Sequence, residues 1–235
     1  KIGYKSPYRH LDRLTRVYEY MGPAWYQREI EIPAAWKGKR IFLYFERTHW
    51  LSSVYVGKEE VSKIDYISIP HNHELTQWLH PGKKELITFC IDNRYQYDTH
   101  KWDHAHSEFT QINWNGVLGE IKLVAVDPVY VDDMQVYPDI KNKSIKVKMT
   151  VRNCTEHTAS GKISFHVTGK DYRLQKEVPV TVTDSITYIE EEMFLGKDIH
   201  LWNEFHPNLY TLDCKLTSSV EGQSYAHEKL SLIHI

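Results

Sequence analysis

The sequence predicts an all-β protein built as two consecutive β-sandwiches, on three observations. Several segments alternate apolar and polar residues with period two. No segment carries a sustained helical period. Turn signals punctuate the 235 residues at sandwich-like intervals, as "WKGK", "HPGKK", "IDNR", "TASGK" and "VEGQ".

The elements follow in order. "RIFLYFER" (40–47) is almost continuously apolar, as a strand covered on both faces would be. "HELTQWL" (73–79) reads as one short helical turn, closed by "HPG". "IKLVAVDP" closes a strand, and Pro128 interrupts it before "VYVDDMQVYPDI" begins another series. "SIKVKMTVR" then puts Ile145, Val147, Met149 and Val151 on one face and Lys146, Lys148 and Thr150 on the other. "KISFHVTG" does the same with Ile163, Phe165 and Val167, and "TLDCKLTSS" with Leu212, Cys214 and Leu216. Such alternation suits strands with one wet face. The domain boundary is therefore expected at 127/128, giving domains 1–127 and 128–235; the second is about the size of an immunoglobulin-like sandwich. The first holds a long irregular stretch from Arg94 to Gly116, whose content, "YQYDTHKWDHAHSEFTQINWNG", is too aromatic for plain disorder.

Composition removes several function classes. A formal charge of -2 offers no basic field for nucleic acid. Three cysteines (Cys90, Cys154, Cys214) make neither a disulfide framework nor a CxxC pair. No apolar run is long enough for a membrane span, and neither a leader, a GxSxG nucleophile nor a phosphate-cradling glycine loop is visible. No cofactor is expected. The chain opens on "KIGYKS" and closes on "SLIHI", which reads as part of a longer protein.

"GPAWYQREIEIPAAWKGKRIFLYFERTHWLSSVYV", "PHNHELTQWLHPGKKELI", "IDNR" and "QINWNG" together resemble, in order, the sugar-binding domain of glycoside hydrolase family 2, the group of β-galactosidases, β-glucuronidases and β-mannosidases. "LWNEFHPNLYTLDCKL" (201–216) resembles the last strands of that family's immunoglobulin-like second domain. The resemblance implies a jelly-roll (galactose-binding-like) sandwich followed by an immunoglobulin-like one. It also implies a carbohydrate (β-glycoside) as partner, a C-terminal (α/β)8 barrel holding the two catalytic carboxylates, and a periplasmic or exported parent; a homo-oligomer stays open. In the family the retaining mechanism needs those carboxylates about 5–5.5 Å apart, so neither a catalytic residue nor a metal is assigned here. Asn203–Glu204 looks like the family's catalytic Asn-Glu dipeptide, but its surroundings are those of a strand entry. One departure is Gly57 directly after "VYV", where the family commonly has Asn-Gly or Asp-Gly, so a different hairpin turn is expected.

Within this frame "TQINWNG" is the candidate sugar rim. Gln111, Asn113 and Asn115 offer amide donors and acceptors for hydroxyls, and Trp114 offers a flat apolar face for pyranose C–H groups. The competing reading packs Trp114 between sheets and uses Asn115–Gly116 as a turn. His71 with His73, and His100, His104 and His106, have metal-like spacing without an accompanying carboxylate or cysteine set. Glu46 and Arg47 read as a structural ion pair, Asp92–Asn93–Arg94 as a turn or cap, and Trp25 and Tyr26 as core or inter-domain surface. Three functions stay open: the non-catalytic N-terminal part of a β-glycosidase; a free-standing carbohydrate module with an exposed platform such as Trp102 with Trp114; and a structural module without a ligand.

Overall fold

Period-two patterning becomes strand in nearly every segment where it was read. The computed structural model describes residues 4–5, 18–97 and 114–235. The strand pairs with a described register are antiparallel, and none of the described helices is long and apolar enough to cross a membrane. The chain folds as two units, Lys1–Ala125 and Val126–Ile235.

In the first unit a short pair, β1 (Tyr4–Lys5) with β2 (Tyr18–Glu19), accompanies two larger sheets. The four-stranded sheet runs β3-β8-β5-β6, from β3 (Pro23–Glu31), β5 (Leu51–Val56), β6 (Glu59–Asp65) and β8 (Lys84–Asp92). The three-stranded sheet runs β7-β4-β9, from β4 (Arg40–His49), β7 (His71–Glu74) and β9 (Gly116–Val126). Ile41, Leu43 and Phe45 of β4 meet Val54 of β5 and Ile87 and Ile91 of β8 in one core. The continuous apolar run of β4 is thus fully buried on one face only. Phe42 and Tyr44 on the other are half-buried, and the ammonium of Lys122 sits 4.9 Å above the Tyr44 ring.

The single turn read at 73–79 is present but starts later: His73 and Glu74 belong to β7, and one turn follows, with the Leu79 N–H donating to the Leu75 carbonyl at 3.1 Å. The described helical element is a single 3₁₀ turn at Ala34–Trp36. The β5–β6 hairpin does differ from the Asn-Gly type. Val56 pairs with Glu59 across Gly57–Lys58, and only Gly57 has positive φ (+61°), the arrangement that wants glycine first.

The second unit pairs β10 (Val129–Asp139), β11 (Ser144–Asn153) and β14 (Ile186–Phe194) in the order β10-β11-β14. Its other sheet runs β13-β12-β15-β16, from β12 (Ala159–Gly169), β13 (Tyr172–Val182), β15 (Tyr210–Val220) and β16 (Gln223–Ile233). Ile145, Val147, Met149 and Val151 are buried, as are Ile163, Phe165, Val167, Leu212, Cys214 and Leu216. These are the faces the alternation marked. Burial pushes the Cys214 thiol up to about 12, so it stays a protonated core residue.

Candidate functional site

Polar side chains gather in the first unit where β4 passes into β5, β8 ends and β9 begins. Asn93 is wholly buried just past β8. Its Oδ1 accepts from the Gly22 N–H at 2.9 Å, and its Nδ2 donates to the carbonyls of Tyr20 (2.8 Å) and Trp114 (3.1 Å). One amide therefore ties three chain segments together. Asn115 repeats the device: its Nδ2 donates to the carbonyls of Gly22 (2.8 Å) and Ile91 (3.3 Å), and its Oδ1 is buried without a partner among the described residues. Gly116 follows with φ +114°, and a Cβ there would stand 2.9 Å from the Tyr26 hydroxyl.

Trp114, half-buried, lies with its ring 5.0 Å from that of His49, tilted by 41°. Trp50 follows His49 through a cis peptide bond, and both are buried. The Trp50 indole donates to Asp65 Oδ1 at 2.5 Å, and the Tyr97 hydroxyl donates to Asp65 Oδ2 at 2.7 Å. Both carboxylate oxygens are thus held by aromatic donors, which also raises the Tyr97 phenol above its ordinary pKa. Trp50, Asp65, Tyr66, Ile69 and Tyr97 line an open cleft of about 300 Å³. Beside it Arg94 grips Asp92 through its side chain, while its backbone N–H donates to Asp92 Oδ1 at 3.0 Å. Asp92–Asn93–Arg94 therefore is the turn the sequence suggested, with Asn93 as its buried clamp. Aromatic faces beside fixed donors and acceptors give this end the chemistry to meet a polyhydroxylated ring.

The histidine pair of β7 is a core device. His71 Nε2 faces the Tyr66 carbonyl at 2.8 Å, and a carbonyl only accepts, so Nε2 carries the proton. His71 Nδ1 then accepts from the Ser52 hydroxyl (2.6 Å), and Ser52 Oγ accepts from His73 Nε2 (2.8 Å). His73 Nδ1 in turn accepts from the Ser62 hydroxyl (2.8 Å). One carbonyl thereby fixes the tautomers of both neutral rings. Burial lowers the pKa of His71; burial and the neighbouring His71 push His73 down to about 3. No group of three or more metal-ligating side chains occurs among the described residues.

The structure brings Trp114 and Asn115 into this polar end. Gln111, Asn113, Trp102, His100, His104 and His106 lie outside the described residues. Other readings change. Trp25 is not core: 59% of it is exposed, and Tyr26 is 41% exposed while stacking on Phe89 at 4.8 Å. Glu46 is exposed and makes no ion pair with Arg47 among the described contacts. Its carboxylate accepts from the Glu120 N–H (2.8 Å), beside Gly119, where φ is +77° and a side chain would collide with it. Asn203 turns its Oδ1 to the N–H groups of Phe205 (3.0 Å) and His206 (2.8 Å), so the Asn-Glu dipeptide forms an exposed turn. Asp65 and Tyr97 were missed by sequence reasoning; their joining across 32 residues leaves no local signal.

Comparison with known proteins adds lineage to this geometry. Residues 129–229 match the model of the family described as glycosyl hydrolases family 2. The chain is 22% identical over 205 residues to a beta-galactosidase of Thermoanaerobacter pseudethanolicus, covering 86% of this chain and 27% of that protein. It is 21% identical over 242 residues to a beta-glucuronidase of Paenibacillus borealis, covering 97% and 38%. The chain thus spans about a quarter to two-fifths of the length of these curated relatives. Among solved structures, a glycosyl hydrolase family 2 member from Bacteroides cellulosilyticus superposes with a TM-score of 0.73 at 19% identity, over 93% of this chain and 29% of that one. A Bacteroides uniformis beta-glucuronidase gives 0.74 at 16% identity, over 92% and 26%.

Proposed function

Because the chain belongs to glycoside hydrolase family 2, we propose that it is the non-catalytic, site-shaping part of a retaining β-glycosidase, whose reacting carboxylates reside in a barrel domain of the whole protein. The observation that carries this reading is coverage: the chain spans only 27% of the beta-galactosidase and 38% of the beta-glucuronidase it is similar to, and the carboxyls with a resolved shift agree with it. A retaining glycosidase needs one carboxylic acid kept protonated near neutral pH, which requires a raised pKa. Every described Asp or Glu with a resolved shift moves the other way. Against the upward push of burial, hydrogen bonds and charge from Arg94 hold Asp92 below the ordinary carboxylate range. Hydrogen bonds from Asn142, Lys162, Lys146 and Lys215 lower Asp139, Glu177, Glu190 and Glu228 in turn.

The role left to the chain is positional. Its polar end presents Trp114, Tyr97 and the fixed Asp65 carboxylate to a β-glycoside held against the barrel, and Gln111 and Asn113, which precede Trp114 in sequence, are assigned the same role. The amide nitrogen of Asn115 is engaged with backbone and its Oδ1 is buried, so what Asn115 gives the rim is its hold on the Gly22 and Ile91 carbonyls. Correct placement of a sugar by such groups accelerates the reaction without touching the scissile bond.

The test uses the whole protein. Trp114→Ala and Tyr97→Phe are each expected to lower kcat/KM about tenfold, roughly 1.4 kcal/mol of transition-state binding, with the melting temperature kept. Unchanged kinetics in both variants would overturn the assignment of the rim.

A further inference from the structure

The outer face of the four-stranded sheet in the first unit carries an aromatic pair that the polar end does not use. Register places Trp25 beside Cys90, Cys90 beside Ser53 and Ser53 beside Lys63. The next outward row is Gln27, Thr88, Tyr55 and Glu60. The alternate residues Ile87, Ile91 and Val54 fill the core, so both rows face outward. The rings of Trp25 and Tyr55 lie 5.5 Å apart, tilted by 42°. Cys90 and Ser53 between them are small, so neither stands above the rings. Polar groups edge the pair: the Gln27 amide donates to Thr88 Oγ1 at 2.9 Å and keeps its carbonyl oxygen, and the Tyr55 hydroxyl donates to Glu60 Oε2 at 2.5 Å, leaving Oε1.

We propose that this face is a glycan-binding platform for a neutral oligosaccharide chain, with Trp25 and Tyr55 as its stacking surfaces and Gln27, Glu60 and Lys63 as its hydroxyl-binding edge. Two arguments choose the occupant. A protein partner wants an apolar patch of about 800 Å² with a charge-depleted centre. Here charged Glu29, Glu60 and Lys63 flank Trp25, Tyr55 and Leu86, with Leu51 a row further on beside Asp65 and Asp92. A pyranose needs less: one ring face for its C–H groups and donors and acceptors around it. Charge then chooses among glycans. Glu29 is paired with Lys84 and Asp92 with Arg94, which leaves Glu60 and Asp65 against Lys63, a net negative face that repels uronates. Tyr55 stays a neutral phenol, since its bond to Glu60, and then burial, raise it to about 12. The platform shares with the rim assigned above only the charge of Asp65; its stacking and hydroxyl-binding groups are separate.

The experiment titrates the 235-residue chain with β-1,4-linked hexamers of galactose, glucose and mannose, and with hexagalacturonate, following indole N–H resonances and heats of binding. At least one neutral hexamer is expected to bind at about millimolar Kd and to move the Trp25 indole signal. Trp25→Ala and Gln27→Ala should each weaken it, the tryptophan change by about tenfold or more, while melting temperatures stay within about 2 °C. Gln27→Ala decides the matter if Trp25→Ala does not fold. Absence of neutral binding, equal binding in both variants, or equally tight binding of hexagalacturonate would overturn the proposal. So would a dimer that Trp25→Ala dissociates, which would give the face to a second copy. Because the readout is binding by this chain and not turnover, its failure leaves the rim untouched.

Discussion

Between its sheets the second unit packs an unbroken apolar cluster from Val129 to Ile235, 22 buried residues against nine in the first unit's described cluster. Besides Trp50 and Cys90, the first unit also buries the polar Thr48, His49, Ser52, His71, His73, Asp92 and Asn93, against Ser144, Asn153, Ser164 and Ser218 in the second unit. An apolar core tolerates small slides of one sheet over another, because dispersion has no direction. Hydrogen-bonded clamps do not tolerate them, because a buried donor or acceptor that loses its partner costs about 1–3 kcal/mol. The second unit has such a clamp too, at buried Asn153, whose Nδ2 donates to the carbonyls of His157 and Val182, but fewer buried polar groups than the first.

The largest effect that would sharpen this contrast is expected in the second unit. Phe165→Ala, at a position with no exposed surface, should destabilise that unit by about 3–5 kcal/mol and leave exchange protection of Val54 in the first unit nearly unchanged. In the first unit Asn93→Ala strips one N–H and two carbonyls of their partner and should cost about 2–4 kcal/mol. Hydrogen exchange at Gly22 and around Trp114 would report it; protection equal to the parent's would break the idea of a clamp.

Acid supplies the next test. His73 has a folded pKa far below its unfolded one, so the unfolded chain takes up a proton that the folded chain refuses. Its contribution is present above the unfolded value near 6.5 and is lost as pH falls. Between pH 7 and 5 the first unit should lose about 2 kcal/mol through this ring, with His71 acting in the same direction. Burial lowers His227 in the second unit as well, so that unit should also weaken, by less. Equal pH slopes for the two units, read by exchange, would contradict the difference. The smallest effect belongs to the exposed turn: Glu204→Gln should change stability by less than about 0.5 kcal/mol.

Much of the second unit was legible in advance because its strands have one wet face each; β11, β12 and β15 bury the residues their alternation marks. The first unit was less so, for physical reasons that differ by element. In β4 the apolar run hid which face is covered, since Phe42 and Tyr44 are apolar yet only half-buried. In β3 the mixed run "AWYQREIE" gave no sign that Trp25 points outward, because its strand lies at a sheet edge. His71 and His73 had metal-like spacing; their actual partners, Ser52, Ser62 and Tyr66, come from β5, β6 and the loop after it. For the candidate rim, Asn115 could be read as a turn residue, but its bonds to Gly22 and Ile91 join segments far apart in sequence.

Hydrolysis of nitrophenyl β-galactoside and nitrophenyl β-glucuronide by the 235-residue chain alone tests the division of labour most directly. Between about pH 5 and 8 the expected release of nitrophenol equals that of buffer, because the proposed reading places both reacting carboxylates in the barrel. Turnover that copurifies with the chain and disappears in Glu204→Gln would contradict it and place the chemistry inside these residues.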